Sequence, residues 1–304
     1  TPGPKFGGTE EHPPFATVTG KVGCSRPIMV EHFAFLKQVA KATPKFTIPS
    51  PSMLHLRGGR NAISKEAYPS LEEFWDDVAA AYRKAIRHLA DAGCSYLQLD
   101  DTAFAYLCDP KIRETCRRNG DDPATLPRRY ADTINAALRD RPAGMTVTMH
   151  TCRGNFKSAW VAEGGYDPVA EAMFSSGVDA FFMEFDSARA GGFGPLRYLP
   201  KGKKVVLGLV SSKVGALEGK DDINRRIVGA AKVVLGLVSS KIGALEGKDD
   251  IKRRIDEAAK FVPLENLCLS PQCGFSSTHH GNNLTPDEQW RKLELVVQIA
   301  QEVW

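Results

Sequence analysis

His150 and Cys152, one residue apart, close the β-branched run Met145-Thr-Val-Thr-Met-His-Thr-Cys-Arg-Gly-Asn155. On a strand, side chains at i and i+2 leave the same face, so an imidazole and a thiolate placed this way can reach one ion. Two later apolar runs carry further donors near their ends. Ala180-Phe-Phe-Met-Glu-Phe185 holds Glu184, and Leu267-Cys-Leu-Ser-Pro-Gln-Cys-Gly274 holds Cys273. A carboxylate in an apolar strand is rarely buried without a partner or a metal, which sets Glu184 apart from surface acids. Zinc accepts imidazole nitrogen, thiolate sulfur and carboxylate oxygen in a tetrahedron, and a catalytic zinc keeps one position exchangeable. His150, Cys152, Glu184 and Cys273 are therefore candidate metal ligands.

Donors at the C-terminal ends of separate strands are what a parallel β/α barrel produces, because its site is assembled from strand ends. The chain has the matching rhythm. Phe46-Thr-Ile-Pro-Ser50 reads as a strand stopped by Pro49 and Pro51 in a shaped loop. The following loop, Ser50 to Arg60, carries Ser50, Ser52, His55, Arg57 and Arg60 around Gly58-Gly59 and could bind a polar ligand. Ser70-Leu-Glu-Glu73 has capping-box spacing and opens a helix to about Ala92, stopped by Gly93. Tyr96-Leu-Gln-Leu-Asp-Asp101 is a buried strand ending in two carboxylates. The two-residue period turns Asp100 inward with Gln98, toward a ligand, while Asp101 suits a cap on the next turn.

The remaining elements are read from periodicity and turn signals. Residues 1–16 form an arm rich in Pro, Gly and charge, and Thr17 to Val22 is a short strand. Ile28 to Ala42 is an amphipathic helix with Val30, Phe33, Leu36 and Val39 on its apolar side. Asp122 to Arg139 is a further helix, and another runs from Tyr166 through Met173 and closes at Gly177. Thr285-Pro-Asp-Glu288 caps a final helix that buries Leu293, Val296, Val297 and Ala300. Strands alternating with helices predict a parallel α/β fold.

Residues 204–231 are followed by a near copy, residues 232–259, identical at 24 of 28 positions. The exceptions are Val214/Ile242, Asn224/Lys252, Val228/Asp256 and Gly229/Glu257. Each copy holds one strand (Val205 to Val210, Val233 to Val238), a Ser-Ser-Lys turn and a helix. A barrel closes with a fixed strand number and stagger, so either one copy replaces a missing unit or one sits outside the barrel.

Composition narrows the function classes. The formal charge of +4 is spread over 40 basic and 36 acidic residues, with no Lys/Arg block of the kind that tracks a nucleic acid. No apolar run reaches the length of a membrane span, and the start, Thr1-Pro-Gly-Pro4, does not read as a signal peptide. Seven cysteines, an odd number, fit reduced thiols in a cytoplasmic protein. Cys24, Cys94, Cys108, Cys116 and Cys268 are expected to be ordinary side chains, with Cys94 and Cys268 serving as small hydrophobes.

The segments Met149-His-Thr-Cys-Arg-Gly-Asn155, Phe182-Met-Glu-Phe-Asp186 and Leu269-Ser-Pro-Gln-Cys-Gly-Phe275, with the ending Asn282-Asn-Leu-Thr-Pro-Asp-Glu-Gln-Trp290, resemble the catalytic domain of cobalamin-independent methionine synthase. They are most similar to its short bacterial relatives, from residue 17 onward. The resemblance implies a TIM-type (β/α)8 barrel forming a single domain over 1–304. It implies a zinc ion held by His150, Cys152, Glu184 and Cys273 that activates the thiol of homocysteine for methylation to methionine. It also implies Asp100 as the group that holds the substrate's amino function, and Ser50 and Ser52 of the polar loop are taken as substrate-binding residues. Zinc binding favours the thiolate, and Glu184 is the ligand expected to exchange when the substrate sulfur arrives. Partners are then a small thiol and a methyl donor, with no nucleic acid and no membrane.

Three departures qualify the implied chemistry. The family's first two barrel strands have no counterpart before residue 17. Ser211, or Ser239 in the copy, stands where folate-using members carry a catalytic histidine. The repeat falls just before the Cys273 strand. Alternatives are a zinc enzyme that alkylates another thiol, such as one opening an epoxide with coenzyme M, and a non-catalytic zinc-binding fragment. His279-His280 is expected at most to line the mouth of the site.

Overall fold

The computed structural model describes residues 16–154, 160–185, 188–208, 233–238, 244–259, 264, 267–271 and 284–304. Seven strands form one sheet in chain order: β1 (Lys45–Pro49), β2 (Tyr96–Asp100), β3 (Thr146–Thr151), β4 (Ala180–Glu184), β5 (Lys204–Gly208), β6 (Val233–Val238) and β7 (Leu267–Pro271). Every neighbouring pair is parallel. Parallel neighbours need crossovers; the described α-helices are α1 (Val30–Val39) ahead of β1, α2 (Leu71–Asp91) between β1 and β2, α3 (Ala103–Tyr106), α4 (Pro110–Arg118) and α5 (Leu126–Leu138) between β2 and β3, α6 (Ala170–Phe174) between β3 and β4, α7 (Lys248–Ala259) between β6 and β7, and α8 (Pro286–Val303) after β7, with short 3-10 turns between β4 and β5. The parallel α/β class is as the sequence predicts. Among the described residues β1 and β7 are not paired, and no helix is long and apolar enough to cross a membrane.

The strands alternate in burial, and the two faces differ in kind. Ile48, Leu97, Leu99, Val147, Met149, Phe181, Met183, Val205 and Leu207 are buried and belong to the main apolar core, which also takes in the helices. Helix α2 faces that core with Phe74, Trp75, Val78, Ile86 and Leu89, a three-to-four-residue spacing. The other face carries Lys45, Tyr96, Gln98, Thr148, His150 and Phe182, more polar and mostly half-open. The sheet curls around this second face. Lys45 Nζ on β1 lies 4.0 Å from the ring centre of Phe182, three strands away, and the Tyr96 phenol on β2 is under the electrostatic influence of Cys268 on β7.

Both copies of the repeat supply strands to this sheet, β5 and β6, side by side. Val233, the counterpart of Val205, pairs with Leu207, a stagger of two residues that keeps the faces in phase. The first copy's helix lies outside the described residues, and the second copy's is α7, with Ile251 and Ile255 buried.

Several expectations are corrected. Thr17 to Val22 forms no strand; Val18 makes a single parallel bridge to Ile63. Helix α1 is shorter than Ile28 to Ala42, and Val39 is 57% exposed, leaving Phe33 as the buried contact, edge-on to Phe46. Ser70 caps α2 by accepting from Glu72 N–H rather than in a capping box, because Glu73 is drawn to Lys21. Asp122 caps a turn ahead of α5, which starts at Leu126, and the helix after Tyr166 is only Ala170–Phe174. In α8 the capping box is present, but the fully buried positions are Lys292 and Ile299, while Val297 is exposed. The helix is rolled so that Lys292 reaches Glu246 at 3.0 Å. Cys268 is exposed rather than a core residue.

Candidate active site

All seven strands point the same way, so their C-terminal ends share one edge. Asp100 and His150 are register partners there, and so are His150 and Phe182. Register partners project to the same side, and Glu184 follows Phe182 by two residues, as Cys152 follows His150. Asp100, His150, Cys152 and Glu184 therefore come to one edge on the polar face. The fourth expected ligand, Cys273, lies outside the described residues, as do Ser211, Ser239, His279 and His280.

His150 Nδ1 is hydrogen-bonded to Asp100 Oδ1. Glu184 is buried and accepts from the backbone N–H of Arg153 at 2.6 Å and from Arg189 Nη2 at 2.6 Å. Cys152, two residues after His150, is buried and carries no disulfide. The Tyr106 hydroxyl, fully buried, is pushed up by burial and by the nearby Cys152 and Glu184, and pulled back by Arg57. That electrostatic neighbourhood joins β3, β4 and the loop after β1. Among the described residues, no three His, Cys, Asp or Glu side chains stand close enough together to hold a metal ion. The donor types still suit zinc: imidazole, thiol and carboxylate at one edge, with the Nδ1 of the imidazole held by a carboxylate, as ligating imidazoles commonly are.

The second acid, Asp101, caps α3. It is fully buried, its Oδ1 accepts from Phe104 N–H at 3.1 Å and its Oδ2 from Ser52 Oγ at 2.5 Å. Burial raises its pKa, opposed by the Ser50 and Ser52 hydroxyls and by backbone N–H groups. Ser50 and Ser52 are both wholly buried, which puts them beneath the loop.

Sequence reasoning passed over Arg153, although its place directly after the His-x-Cys pair was a signal. It is the largest fully buried side chain among the described residues. Its Nε and Nη2 donate to Gly164 O at 3.1 and 2.6 Å, its Nη1 to Tyr166 Oη and Glu184 O, both at 3.2 Å, and its guanidinium lies 4.3 Å from the Tyr166 ring centre. Burial pushes the Tyr166 phenol up to about 12 against the pull of Arg153. Arg189, the partner of Glu184, was missed as well. It sits 4.9 Å from the Trp160 ring centre, brought in by the short turn after β4.

Residues 25–302 match the family model for the catalytic domain of cobalamin-independent synthase. The chain is 46% identical over 290 residues to YxjH of Bacillus subtilis, an uncharacterized protein, covering 94% of this chain and 69% of that one. YxjG of the same organism, also uncharacterized, is 46% identical over 291 residues with the same coverage. Among solved structures, a protein of Listeria monocytogenes provisionally assigned as a vitamin-B12 independent methionine synthase is 36% identical with a TM-score of 0.61, covering 94% of this chain and 72% of that one. A B12-independent methionine synthase from Shewanella, solved with selenomethionine, shares the fold at a TM-score of 0.51 and 15% identity, covering 92% of this chain and 67% of that one. By its matched length and these relatives, this chain belongs to the family of cobalamin-independent synthase catalytic domains.

Proposed function

We propose that this chain is a zinc-dependent methyltransferase whose acceptor is the thiol of homocysteine and whose product is methionine. The observation that carries the reading is the His150–Asp100 pair at the strand ends, with Cys152 and Glu184 at the same edge. His150, Cys152, Glu184 and Cys273 would hold the ion, which when bound favours the thiolate form of a substrate thiol, the nucleophile. The family points to methyl transfer in methionine biosynthesis, and the donor types are ones that zinc accepts.

The chain's own groups then divide the work. Asp100 orients the His150 imidazole and takes the ammonium group of the substrate with its second oxygen; its side chain is 46% exposed, open enough to do so. Arg189 and the Arg153 N–H set the direction of the Glu184 carboxylate. Ser52 acts from below, by donating to Asp101 and so fixing the loop that leaves β1, with Ser50 buried in the same turn. As the sulfur–carbon bond forms, the bond from the methyl carbon to its donor breaks, and the donor leaves with that electron pair.

Elemental analysis of the purified chain beside Cys152→Ser and Cys273→Ser tests this reading. A stoichiometric zinc, lost from both variants, is expected. A parent chain without zinc overturns it.

A further inference from the structure

Three basic side chains, His55, Arg57 and Arg60, lie on the segment that leaves β1, and two of them find partners inside the fold. His55 is 1% exposed, with Nδ1 2.9 Å from Tyr130 Oη and Nε2 3.3 Å from Asp121 Oδ1. Arg60 gives Nη2 to the Tyr68 carbonyl at 2.6 Å and its backbone N–H to Asp121 at 3.3 Å. Arg57 differs. Its Nε is buried without an acceptor, and among the described residues no carboxylate or carbonyl takes its N–H groups. A guanidinium stays charged and carries five N–H donors, so a half-buried one with none of them used is an unmet anion site.

The backbone that presents Arg57 is fixed at the candidate site. Pro49 is the register partner of Asp100, and Ser50 N–H donates to Asp100 O at 3.0 Å. The turn then winds tightly, Leu56 N–H to Ser52 O at 3.1 Å and Gly59 N–H to His55 O at 2.7 Å, with His55 and Arg60 anchoring both flanks. The charge of Arg57 reaches the Tyr106 hydroxyl, which also feels Cys152 and Glu184. Arg57 thus lies on the loop that leaves the strand edge beside Asp100.

We propose that Arg57 is a specificity-determining residue that takes the carboxylate of the thiol substrate while Asp100 takes its ammonium group, so that the site reads a zwitterionic α-amino acid. This deepens the thiol-methylation reading and rests on it. A guanidinium pairs with a carboxylate through two parallel N–H···O bonds, a geometry that a lysine cannot reproduce in full.

The test is calorimetric titration of the full chain with homocysteine and with homocysteine amide, for the parent, R57K and R57M, with thermal melts to show that each variant is folded. The parent should prefer the acid about tenfold or more. R57M should lose that preference by weakening toward the acid alone, and R57K should keep part of it. Should R57M fail to fold, R57Q takes its place. Equal binding of acid and amide by the parent, or equal weakening of both in the variant, overturns the assignment. Zinc content read on the same samples separates the two proposals. Loaded protein without acid preference removes Arg57 and leaves the methyltransferase reading, whereas unloaded protein that still prefers the acid does the reverse.

Discussion

Asp100 and His150 sit opposite each other in the register of two paired strands, and the carboxylate of one meets the Nδ1 of the other. A carboxylate on the far nitrogen fixes the tautomer and orientation of a ligating imidazole and strengthens it as a donor. Asp100→Ala should therefore weaken zinc binding roughly 10- to 100-fold, read by competition with a chelator. An unchanged affinity would mean that the pair does not support a metal ligand.

Arg153 fills the space behind Glu184 with its charge fully buried and its donors taken by Gly164, Tyr166 and Glu184. Arg153→Met removes the charge but strands those acceptors, and should cost about 3–5 kcal/mol in urea denaturation. A loss well under 1 kcal/mol would show that the network holds little of the fold together.

Gly164 receives Arg153 on its carbonyl and adopts φ +120°, a conformation that side chains resist. A Cβ there would meet the Cys108 carbonyl oxygen at 2.4 Å, and backbone cannot move aside cheaply. Gly164→Ala should destabilise by roughly 2 kcal/mol or more, with the melting temperature as the readout. Gly192→Ala, which meets nothing within 4 Å, is the control.

Asp179 ties the start of β4 to β3. It accepts from both Arg141 Nη atoms at 2.7 and 2.8 Å and from Val147 N–H at 2.8 Å. Burial pushes its carboxyl up, but the Arg141 and Val147 hydrogen bonds and the Arg141 charge outweigh that and hold it below the ordinary value. A depressed carboxylate stabilises the fold above the unfolded pKa, about 3.9, and that contribution fades as the pH falls through the folded value. Its side chain is 42% exposed, so solvent screening limits Asp179→Asn to about 1 kcal/mol at pH 7. Urea midpoints of the two proteins should converge as the pH drops toward 3; a gap that persists there would contradict the linkage.

The sequence by itself determined the strands and the edge at which the site forms. Runs such as Tyr96 to Asp100 and Ala180 to Glu184 are short and β-rich with one polar end, and the two-residue period then fixes which donors share a face. The helices were legible where their faces were, as in α2, and misread where tertiary packing chose the face: α8 buries Lys292 because Glu246 receives it. Cys273 and the first copy's turn and helix fall outside the described residues, so their place in the site rests on the motif.

Only the tertiary structure decided which charges are spent. His55, Arg57 and Arg60 look alike in sequence, three basic side chains in a glycine-containing loop. Folding brings Tyr130 and Asp121 to the first and the Tyr68 carbonyl to the third, from elements far along the chain, and brings no acceptor to the second. In the same way Asp100 and Asp101 are adjacent in sequence, yet one faces His150 and the other is buried under Ser52. Local pattern specifies strand direction and face, because these follow from backbone geometry. Partners depend on long-range packing, which no local pattern contains.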